Sequence, residues 1–394
     1  MINEAILASI EPRWRNIAET VRKNSIRVIQ AFADEGASQI DLAGSAGYGY
    51  DDRGREMLDR VYAHVFEADR ALVRPQWASG THVLSTALKA LLRPGNRLWI
   101  ADGRVYDTLR VLLGSEHPQS LGAHGVTVVD VSCDAKGHLC PPGGAMPPQV
   151  VFIQRSRGYV LYEPWDRNQI STMIDDAHRR GALVLVDNCY GEFTDISEPT
   201  AWGADLIAGS LLKNPGGGIA PTGGYVAGRK QLVDLVADQL VAPAIGGELG
   251  PTGPYLRLFA QGFFVAPEMV GEALMGATYA RARWQEAGFQ VEPGVSGVDQ
   301  MITAIRLDQA EQVVKFCRAV QALGPMDSHV DPEAWNMPGY HDPIIMAAGG
   351  MIAGASLELS CDAPMRPPYW VYLQGGLSRW HTIMAAERTL KALA

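Results

Sequence analysis

The chain has 394 residues, 47% hydrophobic and 20% charged, which is ordinary globular composition. Its length exceeds what one small core organises, so two packed domains are expected. The net charge is −9, from 34 basic and 43 acidic residues; with no basic run of five or more, nucleic acid is a poor partner. No apolar run approaches the ~20 residues that cross a bilayer, so no membrane association is expected. The N-terminus mixes Glu4, Glu11, Arg13, Arg15, Glu19 and Arg22 with apolar residues. It lacks the apolar core of a signal peptide, and a cytoplasmic protein is expected. The five cysteines, Cys133, Cys140, Cys189, Cys317 and Cys361, are odd in number and form no Cys-x-x-Cys pair. Free thiols are expected, with neither a disulfide framework nor a metal site.

In chain order, Ile6, Leu7, Ile10, Trp14, Ile17 and Val21 recur at three- and four-residue steps and predict a helix over the first ~35 residues. A glycine-rich stretch, Gly44 to Gly54, separates it from a second helix over 55–67. From Ala71 the pattern alternates. Strands are predicted at 71–73, 97–101, 126–131, 149–154, 182–186 and 206–208. Helices are predicted at 81–92, 105–113 and 166–180. Such alternation implies an α/β fold with a largely parallel sheet covered on both faces. Sites in such sheets lie beyond the carboxyl ends of the strands. Six glycines or prolines between Gly246 and Pro254 mark a boundary. Beyond it come a long helix at 262–283 and strand candidates at 298–305 and 355–360, a smaller α+β domain. The expected divisions are an N-terminal helix and arm (1–60), a large domain (61–245) and a small domain (246–394).

Three segments suggest one chemistry. In Ala182-Leu-Val-Leu-Val-Asp187, a carboxylate ends a buried apolar strand, which is costly unless a positive group meets it. The protonated ring nitrogen of pyridoxal phosphate (PLP) is such a partner, and the pairing improves the ring as an electron sink. A capping Asp is the alternative. Lys213 follows 26 residues later in Ser210-Leu-Leu-Lys-Asn-Pro-Gly-Gly-Gly218. Lodged among apolar residues and glycines, it is expected to have a lowered pKa that favours a Schiff base; an exposed loop lysine is the alternative. Ser210 is placed to donate to a phosphate. Ser79-Gly80-Thr81 opens a helix and offers backbone N–H groups to the same phosphate, or is a plain N-cap. No nucleotide-binding glycine motif competes. The order is phosphate nest, strand-end Asp, Ser-x-x-Lys, as in aspartate-aminotransferase-like folds. Tyr106 falls where that class sets an aromatic ring on the cofactor face, unless it packs on the sheet.

With these residues assembled, the chain resembles the PLP enzymes of Cys/Met metabolism. Within them it is most similar to the branch of methionine gamma-lyase-family and aluminium-resistance proteins. The stretches that carry the resemblance are Gly47–Arg55, Val73–His82, Ile153–Tyr159, Val186–Phe193, Lys213–Tyr225, Gln261–Pro267 and Gln374–Leu377, covering most of the chain. The resemblance implies the PLP-dependent transferase fold (fold type I) and the following roles. Lys213 binds PLP and moves protons, Asp187 meets the ring nitrogen, and Tyr106 stacks on the ring. Ser79, Gly80, Thr81 and Ser210 hold the phosphate. A Tyr and an Arg near the N-terminus reach the phosphate of a neighbouring subunit; Tyr50 and Arg53 are the matching candidates here, with Tyr48 beside them. A homodimer or homotetramer with shared sites follows. The superfamily's carboxylate-binding Arg before a Gly-Leu is missing from Pro368–Leu377. Arg366 is taken in its place, since Pro367 and Pro368 hold it in an extended segment and a guanidinium forks onto a carboxylate. Arg155 and Arg157 are secondary candidates.

The implied reaction is loss of a γ-substituent from an L-amino acid. Sulfur is the family's usual leaving atom; a halide or oxygen leaving group, β-elimination, γ-replacement and a non-catalytic PLP-binding role stay open.

Overall fold

The computed structural model describes residues 2–394 apart from 157, 160, 162 and 296. In chain order the chain forms α1 (Glu4–Asp34), α2 (Arg53–Val65), β1 (Arg70–Arg74), α3 (Gly80–Leu91), β2 (Arg97–Ala101), α4 (Asp107–Leu113), β3 (Thr127–Cys133), β4 (Leu139–Cys140), β5 (Val150–Gln154), α5 (Arg167–Arg179), β6 (Leu183–Asp187), β7 (Leu206–Ser210), β8 (Gly224–Gly228) and α6 (Lys230–Leu240). Then come α7 (Leu256–Glu286), β9 (Val291–Glu292), β10 (Thr303–Arg306), α8 (Ala310–Gln321), β11 (Ile344–Ala348), β12 (Ser360–Pro364), β13 (Trp370–Gln374) and α9 (Arg379–Leu393).

β1 to β8 make an eight-stranded sheet in the order β1-β8-β7-β6-β5-β2-β3-β4. Neighbours from β7 to β3 run parallel, as expected from the alternating pattern. β8 runs antiparallel between β1 and β7, so the sheet is mixed. β5 is buried along its whole length. The apolar run from Val150 to Ile153 forms a strand because both faces are covered, each of these side chains gaining about 1.5–3 kcal/mol on burial. α3 and α6 pack together on one face, and their apolar sides share a core with Leu98, Phe152 and Leu206. The opposite face meets α2, α5 and α7 through Tyr62, Met173 and Phe263.

A second, antiparallel sheet of five strands has the order β11-β12-β13-β10-β9 and is covered by α8 and α9. The strand expected at 355–360 lies later, at β12, and the one at 298–305 is the shorter β10. α7 runs unbroken through Pro267. α1 spans both regions. Ile6 and Ile10 enter the core of the small sheet, whereas Ile17, Val21 and Val28 enter the core of the large one.

Candidate active site

The carboxyl ends of the parallel strands and the small sheet enclose a cavity of about 330 Å³. β6 ends on Asp187 and β7 on Ser210, both buried in its wall. α3 leaves β1 and points its N-terminus at the same space. Ser79 caps that helix, its Oγ accepting from His82 N at 3.1 Å, and Thr81 Oγ1 lies 2.8 Å from Thr108 Oγ1. α4 starts after β2 and presents Tyr106, whose hydroxyl is 3.1 Å from Ser156 Oγ. Ser79, Gly80, Thr81, Tyr106, Asp187, Ser210 and Lys213 all line the one cavity.

Lys213 lies on a turn beyond β7 that is fastened from several sides. Asn214 Nδ2 donates to Glu192 O at 2.8 Å, and Ser356 N, from the small domain, donates to Leu212 O at 3.1 Å. Gly217 and Gly218 take positive φ of 59° and 70°, which side chains resist. Nζ ends 4.2 Å from the centre of the Tyr190 ring and 4.9 Å from that of Tyr106. The lowered pKa expected for this lysine is not found. Burial pushes it down, but Cys189, Tyr190, Tyr106 and Asp187 around it outweigh burial and hold it above the ordinary lysine value. Asp187 Oδ1 accepts from Cys189 N at 3.1 Å, while Oδ2 is buried with no hydrogen-bond partner. Burial pushes its carboxyl up, opposed by Lys213. Burial likewise raises Tyr106 well above the usual phenol range.

Gly80 borders the centre: a Cβ there would lie in ordinary van der Waals contact, 3.4 Å from both Cys189 Sγ and Ser210 Cβ and 4.0 Å from Lys213 Nζ. The groups therefore fit PLP. A partnerless buried carboxylate oxygen suits a protonated ring nitrogen, an amine faces the same space, and a helix N-terminus beside Ser210 suits a phosphate.

The chain matches the methionine gamma-lyase family model over residues 1–394. It belongs to the methionine gamma-lyase family. Protein YnbB of Bacillus subtilis is 40% identical over 388 residues, 96% of this chain and 91% of that protein. A candidate cystathionine beta-lyase involved in aluminium resistance from Listeria monocytogenes is 39% identical, with 99% of each chain covered and a TM-score of 0.94. A carbon–sulfur lyase involved in aluminium resistance from Clostridium novyi is 38% identical, with 100% and 97% covered and a TM-score of 0.92. The PLP-dependent protein YhfS of Escherichia coli, 16% identical with a TM-score of 0.64, shares the fold over 95% of this chain and 97% of its own. The fold is that of fold-type-I PLP enzymes, and the family's cofactor is PLP.

The other candidates from the sequence that fall among the described residues lie apart from the cavity. Arg366 does not reach it: half-exposed, it pairs with Asp342 at 2.8 Å, a partner 24 residues away that its own neighbourhood does not reveal. Arg155 is buried elsewhere, bonded to Glu198 and Asn188 and lying over Trp202. Arg157 lies outside the described residues. Tyr48 and Tyr50 are exposed, their rings 6.0 Å apart, and Arg53 reaches out towards Asp41 at 3.5 Å. Within one chain, none of these three lines the cavity among the described residues. Tyr159, Tyr190, Asp362 and Gln374 do line it and were not foreseen as site residues. Tyr190 stands three residues beyond Asp187 in a stretch already marked, and Gln374 opens the Gln-Gly-Gly-Leu run; Asp362 has no local signal.

Proposed function

We propose that this chain is a PLP-dependent carbon–sulfur lyase that removes a γ-substituent from an L-amino acid. The observation that carries the reading is the convergence of Lys213, Asp187, Ser210 and the α3 N-terminus on one cavity. Family membership and the Clostridium novyi carbon–sulfur lyase support sulfur as the leaving atom.

When bound, PLP withdraws electrons from the carbon that bears the amino group. Asp187 Oδ2 keeps the ring nitrogen protonated, Tyr106 covers the ring face, and Ser79, Gly80, Thr81 and Ser210 hold the phosphate. Lys213 Nζ would anchor the cofactor and, once free and neutral, take the Cα proton; it would have to hand that proton on before taking a second from Cβ. Tyr106 Oη, held protonated by burial, donates to the departing sulfur. Tyr50 and Arg53, with Tyr48 beside them, complete the phosphate site of a neighbouring subunit, which their exposure in the single chain permits. The working unit is then a homodimer or a homotetramer.

The test is direct. Purified protein is yellow, and borohydride fixes the cofactor on Lys213; a Lys213→Ala variant that still traps it sinks the reading. S-substituted homocysteines release thiol, ammonia and a four-carbon keto acid. β-Elimination is the second reading, favoured by the description of the Listeria monocytogenes protein as a candidate cystathionine beta-lyase. It predicts a three-carbon keto acid from cysteine derivatives instead.

A further inference from the structure

Asp362 is the acid in the cavity to which the proposed chemistry gives no task. Among the described lining residues the carboxyls are Asp187, Glu358 and Asp362, and Lys213 is the one basic side chain. Asp187 faces the ring nitrogen of the cofactor. Glu358 is spent on the backbone, accepting from Met351 N at 2.7 Å and Ile352 N at 2.9 Å. Asp362 projects from β12, between Met346 and Tyr372 on the flanking strands.

Two neutral groups hold it in place. Tyr159 Oη donates to Oδ2 at 2.7 Å and Gln374 Nε2 donates to the same oxygen at 3.1 Å. Gln374 is itself fixed, its Oε1 accepting from Tyr190 Oη at 2.9 Å. These bonds orient the carboxylate without cancelling its charge. Burial pushes the Asp362 carboxyl up; Tyr159, Gln374 and Lys213 pull it down. Of these, Lys213 alone is a cation, and its amine is committed when the cofactor is bound. Among the described residues no cation other than Lys213 lines the cavity with it, and a walled-in carboxylate left in that state is costly. Gln374 also occupies the place before Gly375-Gly376-Leu377 where a carboxylate-binding arginine was expected. An acid beside it repels a substrate carboxylate.

We propose that Asp362 determines specificity by recognising a positively charged group, an ammonium, on the arm of the substrate beyond the bond that breaks. Tyr159 and Gln374 are the positioning residues that aim it. The inference rests on the lyase reading above for the bond that breaks.

The experiment compares matched arms on the holoenzyme: S-(2-aminoethyl) and S-propyl derivatives of L-cysteine and of L-homocysteine, equal in length and differing in the terminal ammonium. The expected kcat/KM is about 10-fold or more higher for the ammonium arm, as a charged hydrogen bond implies. In Asp362→Asn that ratio falls to within about 2-fold of unity, and in Tyr159→Phe it narrows. A wild-type ratio at or below unity overturns the inference without any variant, as does an Asp362→Asn protein that keeps the wild-type ratio. If no compound releases thiol, the same four are titrated into the holoenzyme by calorimetry. Tighter binding of the ammonium arms then leaves this inference standing while the lyase reading falls, and equal binding overturns both.

Discussion

The ammonium of Lys213 lies 4.2 Å from the centre of the Tyr190 ring, and Tyr190 delivers that ring from a backbone held at a positive φ of 64°. A non-glycine residue rarely adopts that conformation, which costs on the order of 1 kcal/mol. It is held there by its surroundings: the hydroxyl is tied to Gln374, and Cys189 N before it is bonded to Asp187. The cation-facing ring and the carboxylate proposed to meet the cofactor are thus set by one tight turn after β6.

Tyr190→Phe keeps the ring over Lys213 but leaves Gln374 Oε1 buried without this donor. A stability loss of about 1–3 kcal/mol is expected from the unmade bond. Urea unfolding of the variant beside the wild type measures it; an unchanged midpoint shows that the Tyr190–Gln374 bond contributes nothing.

Asp187→Asn removes the charge meant for the ring nitrogen while keeping the shape. Breaking a buried ion pair on one side costs several kcal/mol, so PLP affinity is expected to fall by about 100-fold or more. Titration of cofactor-free protein with PLP, followed by fluorescence, gives the ratio. Equal affinity means that Asp187 does not face the ring.

Glu192 gives stability a pH dependence. Burial first, then the nearby Glu198, raises its carboxyl from an ordinary 4.5 to about 8. Its Oε1 accepts from Tyr225 Oη at 2.9 Å, and Oε2 is buried without a partner. Between these two pH values the folded chain holds a proton that the unfolded chain has released. The contribution is therefore complete below about pH 4.5 and lost as pH rises through about 8, at up to about 1.4 kcal/mol per pH unit. Glu192→Gln flattens this slope. Urea midpoints at pH 5, 6.5 and 8 for the two proteins decide it, because the other raised carboxyls cancel in the difference.

Gly262 on α7 touches the backbone of Gly216 in the lysine turn, and a Cβ at Gly262 would collide with Gly216 O. Backbone cannot swing aside as a side chain can. Gly262→Ala is expected to cost about 1–3 kcal/mol and to reduce the fraction of protein that carries cofactor. Melting temperature and yellow absorbance per chain report the two effects; a variant that matches the wild type in both shows that the turn has room to move.

The half of the site made by the large sheet is legible in the sequence because each part carries a local cost. An Asp closing Leu183–Val186, a serine three residues before a lysine, and a helix opened by Ser-Gly-Thr all need explaining within a few residues. The other half is not. Asp362 meets Tyr159 across 203 positions, and Gln374 meets Tyr190 across 184. Only the pairing of β12 with β13 and the docking of that sheet bring them together. β8 is not legible in the sequence because glycines bound a strand of five residues, Gly224-Tyr-Val-Ala-Gly228, and mimic a loop. Gly224 is needed there, since a Cβ would strike Val83 of α3. The apolar chain neighbours of Lys213 point to a lowered pKa, whereas the side chains that the fold gathers around it raise it.

α1 has a mechanical consequence. Its first turns are seated in the small-sheet core and its later turns in the large-sheet core, with Trp14 between them bonded to Met275 O of α7 at 3.0 Å. A single rod embedded in two bodies transmits load: neither core can loosen without dragging at the other. Heat or denaturant should then take the molecule apart in one cooperative event, and opening of the catalytic cleft must bend this helix or leave the two cores rigid.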